Sequence, residues 1–158
     1  MEKMEQRMYF FVNRSLSPIQ KGIQAGHCAL EYARIYHNDE YYKSFIENDK
    51  TWIILEGGTS QDHDLLFGTC GDMEEIVDIL EWAGVSHATF REPDVNYALT
   101  AVCFLCDERV WDKEQYPDYV PNPESIDEER DSEEWVYSIG GLQNDVMRGL
   151  IDGKRLAS

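Results

Sequence analysis

The stretch Leu16-Ser17-Pro18-Ile19-Gln20-Lys21-Gly22-Ile23-Gln24-Ala25-Gly26-His27-Cys28-Ala29-Leu30-Glu31-Tyr32 decides how this chain is read. Ser17 can cap free amides, Pro18 suits the first helical position because it has no N–H to satisfy, and Gln20 completes an S-x-x-Q box. A helix is therefore expected from here to about His37. Gln20, Gln24, His27 and Glu31 recur at helical spacing and form one polar stripe. Ile19, Ile23, Gly26, Leu30 and Ala33 form the neighbouring apolar or small stripe, which is expected to press on a sheet, with Gly22, Gly26 and Ala29 permitting close approach. A polar stripe beside a buried one lines a cleft, although the same spacing also describes an ordinary solvated helix face.

Working outward, Tyr9-Phe-Phe-Val-Asn13 is a short apolar run of β-favouring residues and reads as a buried strand. Glu40 to Asn48 reads as a short helix capped by Asp39, and Thr51-Trp-Ile-Ile-Leu55 as a second buried strand. That strand opens into Gly57-Gly58-Thr59-Ser60. These residues read either as a plain turn or as an anion-binding nest followed by a polar loop to Gly71, which His63 can join. Asp72 is expected to cap a helix over Met73 to Ala83 that Gly84 ends. Ser86 to Phe90 and Ala98 to Cys106 read as the last two strands, interrupted by Glu92-Pro93-Asp94. The order β-α-α-β-α-β-β describes an α/β domain with a small mixed sheet of about four strands. Cys103 and Cys106, three apart on a strand, face opposite sides and so are not read as a metal or redox pair.

The segment Leu16 to His27 resembles the type 2 peptidyl-tRNA hydrolase family, in which a strand precedes a pattern like M-S-P-G-K-I-A-A-Q-V-G-H-A. Ser17-Pro18, Gln24 and Gly26-His27 keep that register. The family's catalytic lysine falls on Gln20, with Lys21 one residue, or about 100° of helix, further round. The family's D-A-G pattern, with a catalytic aspartate and a nearby threonine, falls on Glu92-Pro93-Asp94. The resemblance implies the fold, with helices on both faces of the sheet, over roughly residues 8 to 106. It divides the chain into a 1–106 α/β domain and a 107–158 acidic extension with a closing helix at Leu142 to Ile151. Relatives of this fold are often carried by bacteriophages, so a ligand from host signalling, such as a cyclic nucleotide, is within its scope.

Composition bounds the function. The 158 residues carry 31 acids and 14 Lys or Arg, a net charge of −17. Such a field repels polyanions, since nucleic-acid affinity comes from cations neutralising phosphates. Residues 107 to 135 hold 12 acids and 3 bases and read as an acidic excursion, dispensable for folding of the sheet, on which Trp111, Tyr116 and Tyr119 lie back. Glu133 to Ser138 reads as an edge segment. The charged start MEKMEQRM has no apolar run of signal-peptide length and no stretch approaches membrane-spanning length, so a soluble, cytoplasmic protein with reduced thiols and no membrane partner is expected.

The candidate site gathers His27, Glu92, Lys21 and Asp94 as catalytic groups and Gln20, Gln24, Gly57, Gly58, Thr59, Ser60 and Asn96 as ligand-binding groups. Amides can read base or ribose edges, glycine amides can hold phosphate, and a carboxylate can orient water. His27 also reads as a packed, hydrogen-bonded helix residue, and Glu92 and Asp94 as turn residues. No cofactor is expected, except that a divalent cation at Glu92 and Asp94 is admitted, two residues apart on an extended chain being on one side. Three functions follow: a homodimeric protein binding, or also hydrolysing, a small nucleotide; a working peptidyl-tRNA hydrolase; or an acidic module that binds protein by mimicking nucleic acid.

Overall fold

A computed structural model describes residues 3–60 and 72–158. Its elements in chain order are β1 (Gln6–Asn13), α1 (Pro18–Tyr36), α2 (Glu40–Ser44) running into a π-helical turn (Phe45–Asp49), β2 (Thr51–Gly58) and α3 (Asp72–Ala83). There follow β3 (His87–Glu92), a 3-10 turn (Pro93–Val95), β4 (Ala98–Asp107), α4 (Glu108–Trp111), α5 (Glu128–Ser138) and α6 (Leu142–Ile151). The four strands form one mixed sheet in the order β2-β1-β4-β3, with β1 and β2 parallel and the other neighbours antiparallel. Parallel neighbours cannot be joined by a hairpin, and α1 with α2 supplies the crossover. The loop expected up to Gly71, with His63 and Cys70, lies outside the described residues.

β1 sits inside the sheet and is buried on both faces, which is why it reads as a continuous apolar run rather than an alternation. Met8, Phe10 and Val12 join Ala25, Cys28, Tyr32, Ala101 and Cys103 under α1. Tyr9 and Phe11 join Leu80, Val102, Phe104, Val110 and Leu150 under α3, α4 and α6. Cys103 and Cys106 do fall in the two opposite cores.

The face that α1 buries is not the one its apolar residues suggest. Lys21, Gln24, Ala25, Cys28 and Tyr32 are buried. Ile19, Ile23 and Leu30 are 73%, 42% and 70% exposed, and nothing lies near the free space at Gly22 and Gly26. Ala25 and Cys28 are small enough for the helix to lie on the sheet, and the polar ends of Lys21 and Gln24 find partners there, so their stems can be buried.

Two features of the C-terminal third also depart from expectation. Glu128–Ser138 is a helix rather than an edge segment, capped by Asp127 on Arg130 N–H at 3.1 Å. The acidic stretch from 107 is no free excursion but packs on the body: Val110 is fully buried in the α3-side core, and Arg7 stacks 3.4 Å over the Trp111 ring. Buried Arg148 on α6 ties the stretch down, donating to the carbonyls of Arg109 and Tyr116 and to Asp118. An arginine accepts this location because it carries enough donors to satisfy several carbonyls at once. Residues 155–157 cover the open edge of β2, through Leu55 paired with Leu156, Glu56 N–H to Arg155 carbonyl and Ala157 N–H to Ile54 carbonyl, both 2.9 Å.

Candidate functional site

The sheet's end at Asn13, Gly58, Glu92 and Ala98 is also where α1 begins, so the fold brings most of the expected residues to one side. The connecting residue is Gln24. Its Nε2 donates to Glu92 Oε2 at 2.9 Å, and its Oε1 accepts from Thr100 Oγ1 at 2.7 Å. Thr100 reaches α1 because the β3/β4 ladder slips there: Phe90 faces Ala101 and Arg91 faces Leu99, leaving Thr100 as an extra residue. A bulge of this kind reverses the alternation and re-aims the side chain. Strict alternation would aim Thr100 toward the opposite face from Ala101, so sequence periodicity had no means of finding it.

Glu92 caps the 3-10 turn by accepting from Asp94 N–H at 3.4 Å. The Gln24 amide, and then the Asp94 N–H, hold its carboxyl below the usual carboxylate range. It is therefore an oriented, ionised acceptor at neutral pH. A base gains strength with its pKa, so this setting suits binding better than proton abstraction.

His27 packs its ring 4.6 Å from that of Phe90, and its buried Nδ1 has no partner among the described residues. Lys21 turns toward β2 and the C-terminal residues rather than toward Glu92. Its Nζ donates to Glu56 Oε1 at 2.7 Å and to the Ser158 carbonyl at 3.0 Å. Gln20 projects into solvent from the first turn of α1, where its N–H meets the Ser17 cap at 3.3 Å. Asp94 and Asn96 are exposed on the turn, Asn96 with a left-handed φ of 57°. Residues 93–95 form a 3-10 turn rather than an extended strand, so the two-residue spacing of Glu92 and Asp94 does not put their carboxylates on one side. Among the described residues there is no cluster of three His, Cys, Asp or Glu side chains that would hold a metal.

Gly57 to Ser60 do not form an open nest. Gly57 is buried in β2, and the Gly58 carbonyl accepts from Arg14 N–H at 3.0 Å. The Thr59 N–H and hydroxyl both donate to Asp72 Oδ2, at 3.1 and 3.3 Å. An internal carboxylate thus occupies the place that sequence reading left for a phosphate. Gly58, at φ 87°, is required because a Cβ there would lie 2.7 Å from Asp72 Cβ and closer still to its carboxylate. Ser60 Oγ takes the Asn13 amide and donates to the Leu99 carbonyl.

Thr100→Val keeps the shape and removes the hydroxyl, leaving Gln24 Oε1 buried without its donor. The expected cost is about 1–2 kcal/mol of stability, read from the urea midpoint at unchanged m-value.

No helix among the described residues is long and apolar enough to cross a membrane. Compared with known proteins, the chain matches no family model and no curated protein.

Proposed function

We propose that this chain is a divergent relative of the type 2 peptidyl-tRNA hydrolases that binds a small nucleotide-type ligand at the α1 and β3 end of its sheet. The reading rests on Glu92: a carboxylate at a strand end, kept ionised and held in place by Gln24, is the group that accepts paired ribose hydroxyls in nucleotide-binding α/β folds. His27 lies near it, and the net charge of −17 favours a small ligand over a long polyanion. With Lys21 held by Glu56, no free cation stands beside Glu92 among the described site residues to stabilise a developing oxyanion, which favours binding over cleavage.

One observation favours the alternative of peptidyl-tRNA ester cleavage. The resemblance implies an acid and a threonine near the last strand, and Glu92 and Thr100 meet through Gln24. One experiment separates the two. A panel of cyclic and linear nucleotides is titrated into wild type and Glu92→Gln, and the same proteins are assayed on peptidyl-tRNA at moderate salt. The expected result is nucleotide binding weakened by roughly tenfold or more in Glu92→Gln, as when an ionic hydrogen-bond partner is lost. Efficient ester cleavage without nucleotide binding would sink the first reading.

A further inference from the structure

A cavity of about 300 Å³ opens at the other end of the sheet, where Gln6 at the start of β1 pairs with Asp107 at the end of β4. Gln6 and Asn13 are the two ends of β1, about 20 Å apart at the rise of a strand. None of the cavity's walls belongs to the Glu92 site.

Its polar lining is held in place yet incompletely bonded. Gln6 is only 6% exposed, and its backbone N–H donates to Asp49 Oδ2 at 3.0 Å. Its side-chain amide lines the cavity and exchanges no hydrogen bond with any described residue. Both ends of that carboxamide therefore face the open cavity, where a ligand can take them in place of water. Buried Asn144, on α6, donates from Nδ2 to the Ile139 carbonyl at 2.7 Å and keeps Oδ1 uncommitted among the described residues. Arg109 gives Nε and Nη2 to Asp107, at 3.1 and 2.9 Å, leaving Nη1. Gly140, at φ 103°, lets that guanidinium lie against the start of α6, because a Cβ would come within 2.8 Å of Arg109 Cζ.

The lining also says what kind of molecule fits. Asp39 and Asp107 outnumber Arg109, within a chain of net charge −17, so a phosphate is disfavoured. The rings of Tyr32 and Tyr41 supply flat apolar surface, while Gln6, Asn144 and Arg109 offer both donors and acceptors. The volume lies at the small end of ligand sites, about 300–1,000 Å³. We propose that this cavity binds a neutral planar molecule with donor and acceptor edges, a nucleobase presented as its nucleoside. The site is independent of the one around Glu92.

Calorimetric titration of the full chain with adenosine, guanosine, cytidine and uridine at millimolar concentration tests this. At least one nucleoside is expected to bind, and Gln6→Leu to weaken it by roughly tenfold or more, the loss that follows from removing a buried polar partner. The titrations are repeated in a Glu92→Gln background, which lacks the ribose acceptor of the other site, and the nucleoside is expected still to bind there. Ser86→Trp, at an exposed position on the cavity rim, should block binding without touching the core, and it decides the matter if Gln6→Leu fails to fold. No nucleoside bound by wild type would overturn the proposal. So would binding in the Glu92→Gln background that survives Ser86→Trp, or the absence of any binding in that background. The Glu92 reading fails separately, if Glu92→Gln leaves nucleotide affinity unaltered.

Discussion

Replacing Phe10 by alanine is expected to remove about 3–5 kcal/mol of stability, the usual range for emptying a fully buried aromatic site. Phe10 is completely buried on the α1 face of β1, beside Cys103 in the register and 4.8 Å from the Trp52 ring. The strands on both sides of β1 hold its backbone in place, so the gap cannot close by a local shift. At the scale of roughly 2–4 °C per kcal/mol for chains of this length, the melting temperature should fall by about 10 °C. The companion measurement is Leu30→Ala. Helical periodicity assigns Leu30 to the buried stripe of α1, which would make this substitution costly, whereas its exposure in the fold makes the expected change within about 0.5 kcal/mol. Similar losses in the two variants would mean that α1 is rotated relative to the arrangement described above.

Lys21→Met is the second substitution with a large expected effect, about 2–3 kcal/mol. Breaking a buried ion pair by removing one partner costs about 3–5 kcal/mol. Here the Lys21 side chain is 7% exposed but that of Glu56 is 25% exposed, so water relieves part of the penalty. Glu56 would be left with Oε2 already lacking a partner among the described residues and Oε1 held only by Ser158 N–H at 3.3 Å. Residues 155–158 should loosen from β2 as well, visible as faster amide exchange at Glu56 and Ala157.

The effect also has a pH signature. The Lys21 hydrogen bond draws the Glu56 carboxyl below its ordinary value of 4.5, against the opposing pull of burial. A depressed native pKa stabilises the fold fully above the unfolded value, and the contribution disappears as pH falls through the native value. The gap between wild type and Lys21→Met should therefore be widest near neutral pH and narrow under acid. A gap that does not change with pH would mean that the pair contributes through packing alone.

Much of the architecture is readable from local patterns because local physics sets it. Ser17 and Pro18 start α1, Asp39 caps α2 on Tyr42 N–H at 3.1 Å, and the runs around Phe10 and Val102 are too short and too β-branched or aromatic to be anything but buried strands. Gly84, at φ 69°, ends α3 as expected of the residue type. That Glu92 and Gln24 could meet was legible for the same reason, since an acid at a strand end and an amide on a helix are polar groups at positions that a fold of this class brings together.

What the amino-acid order could not decide was which face, partner or neighbour each group would take. Lys21 and Gln24 look like solvent-facing residues until β2 supplies Glu56 and a bulge in β4 supplies Thr100; the partners lie 35 and 76 residues away. The glycine turn looks like a phosphate cradle until α3 places Asp72 in it. The residues from 107 onward look like a solvated acidic run until Arg148, on the last helix, gathers their carbonyls. Helix starts and strand lengths depend on residues within one or two turns. The burial of a polar group depends on whether a distant strand brings the partner that offsets its desolvation, and that is decided only when the sheet is assembled.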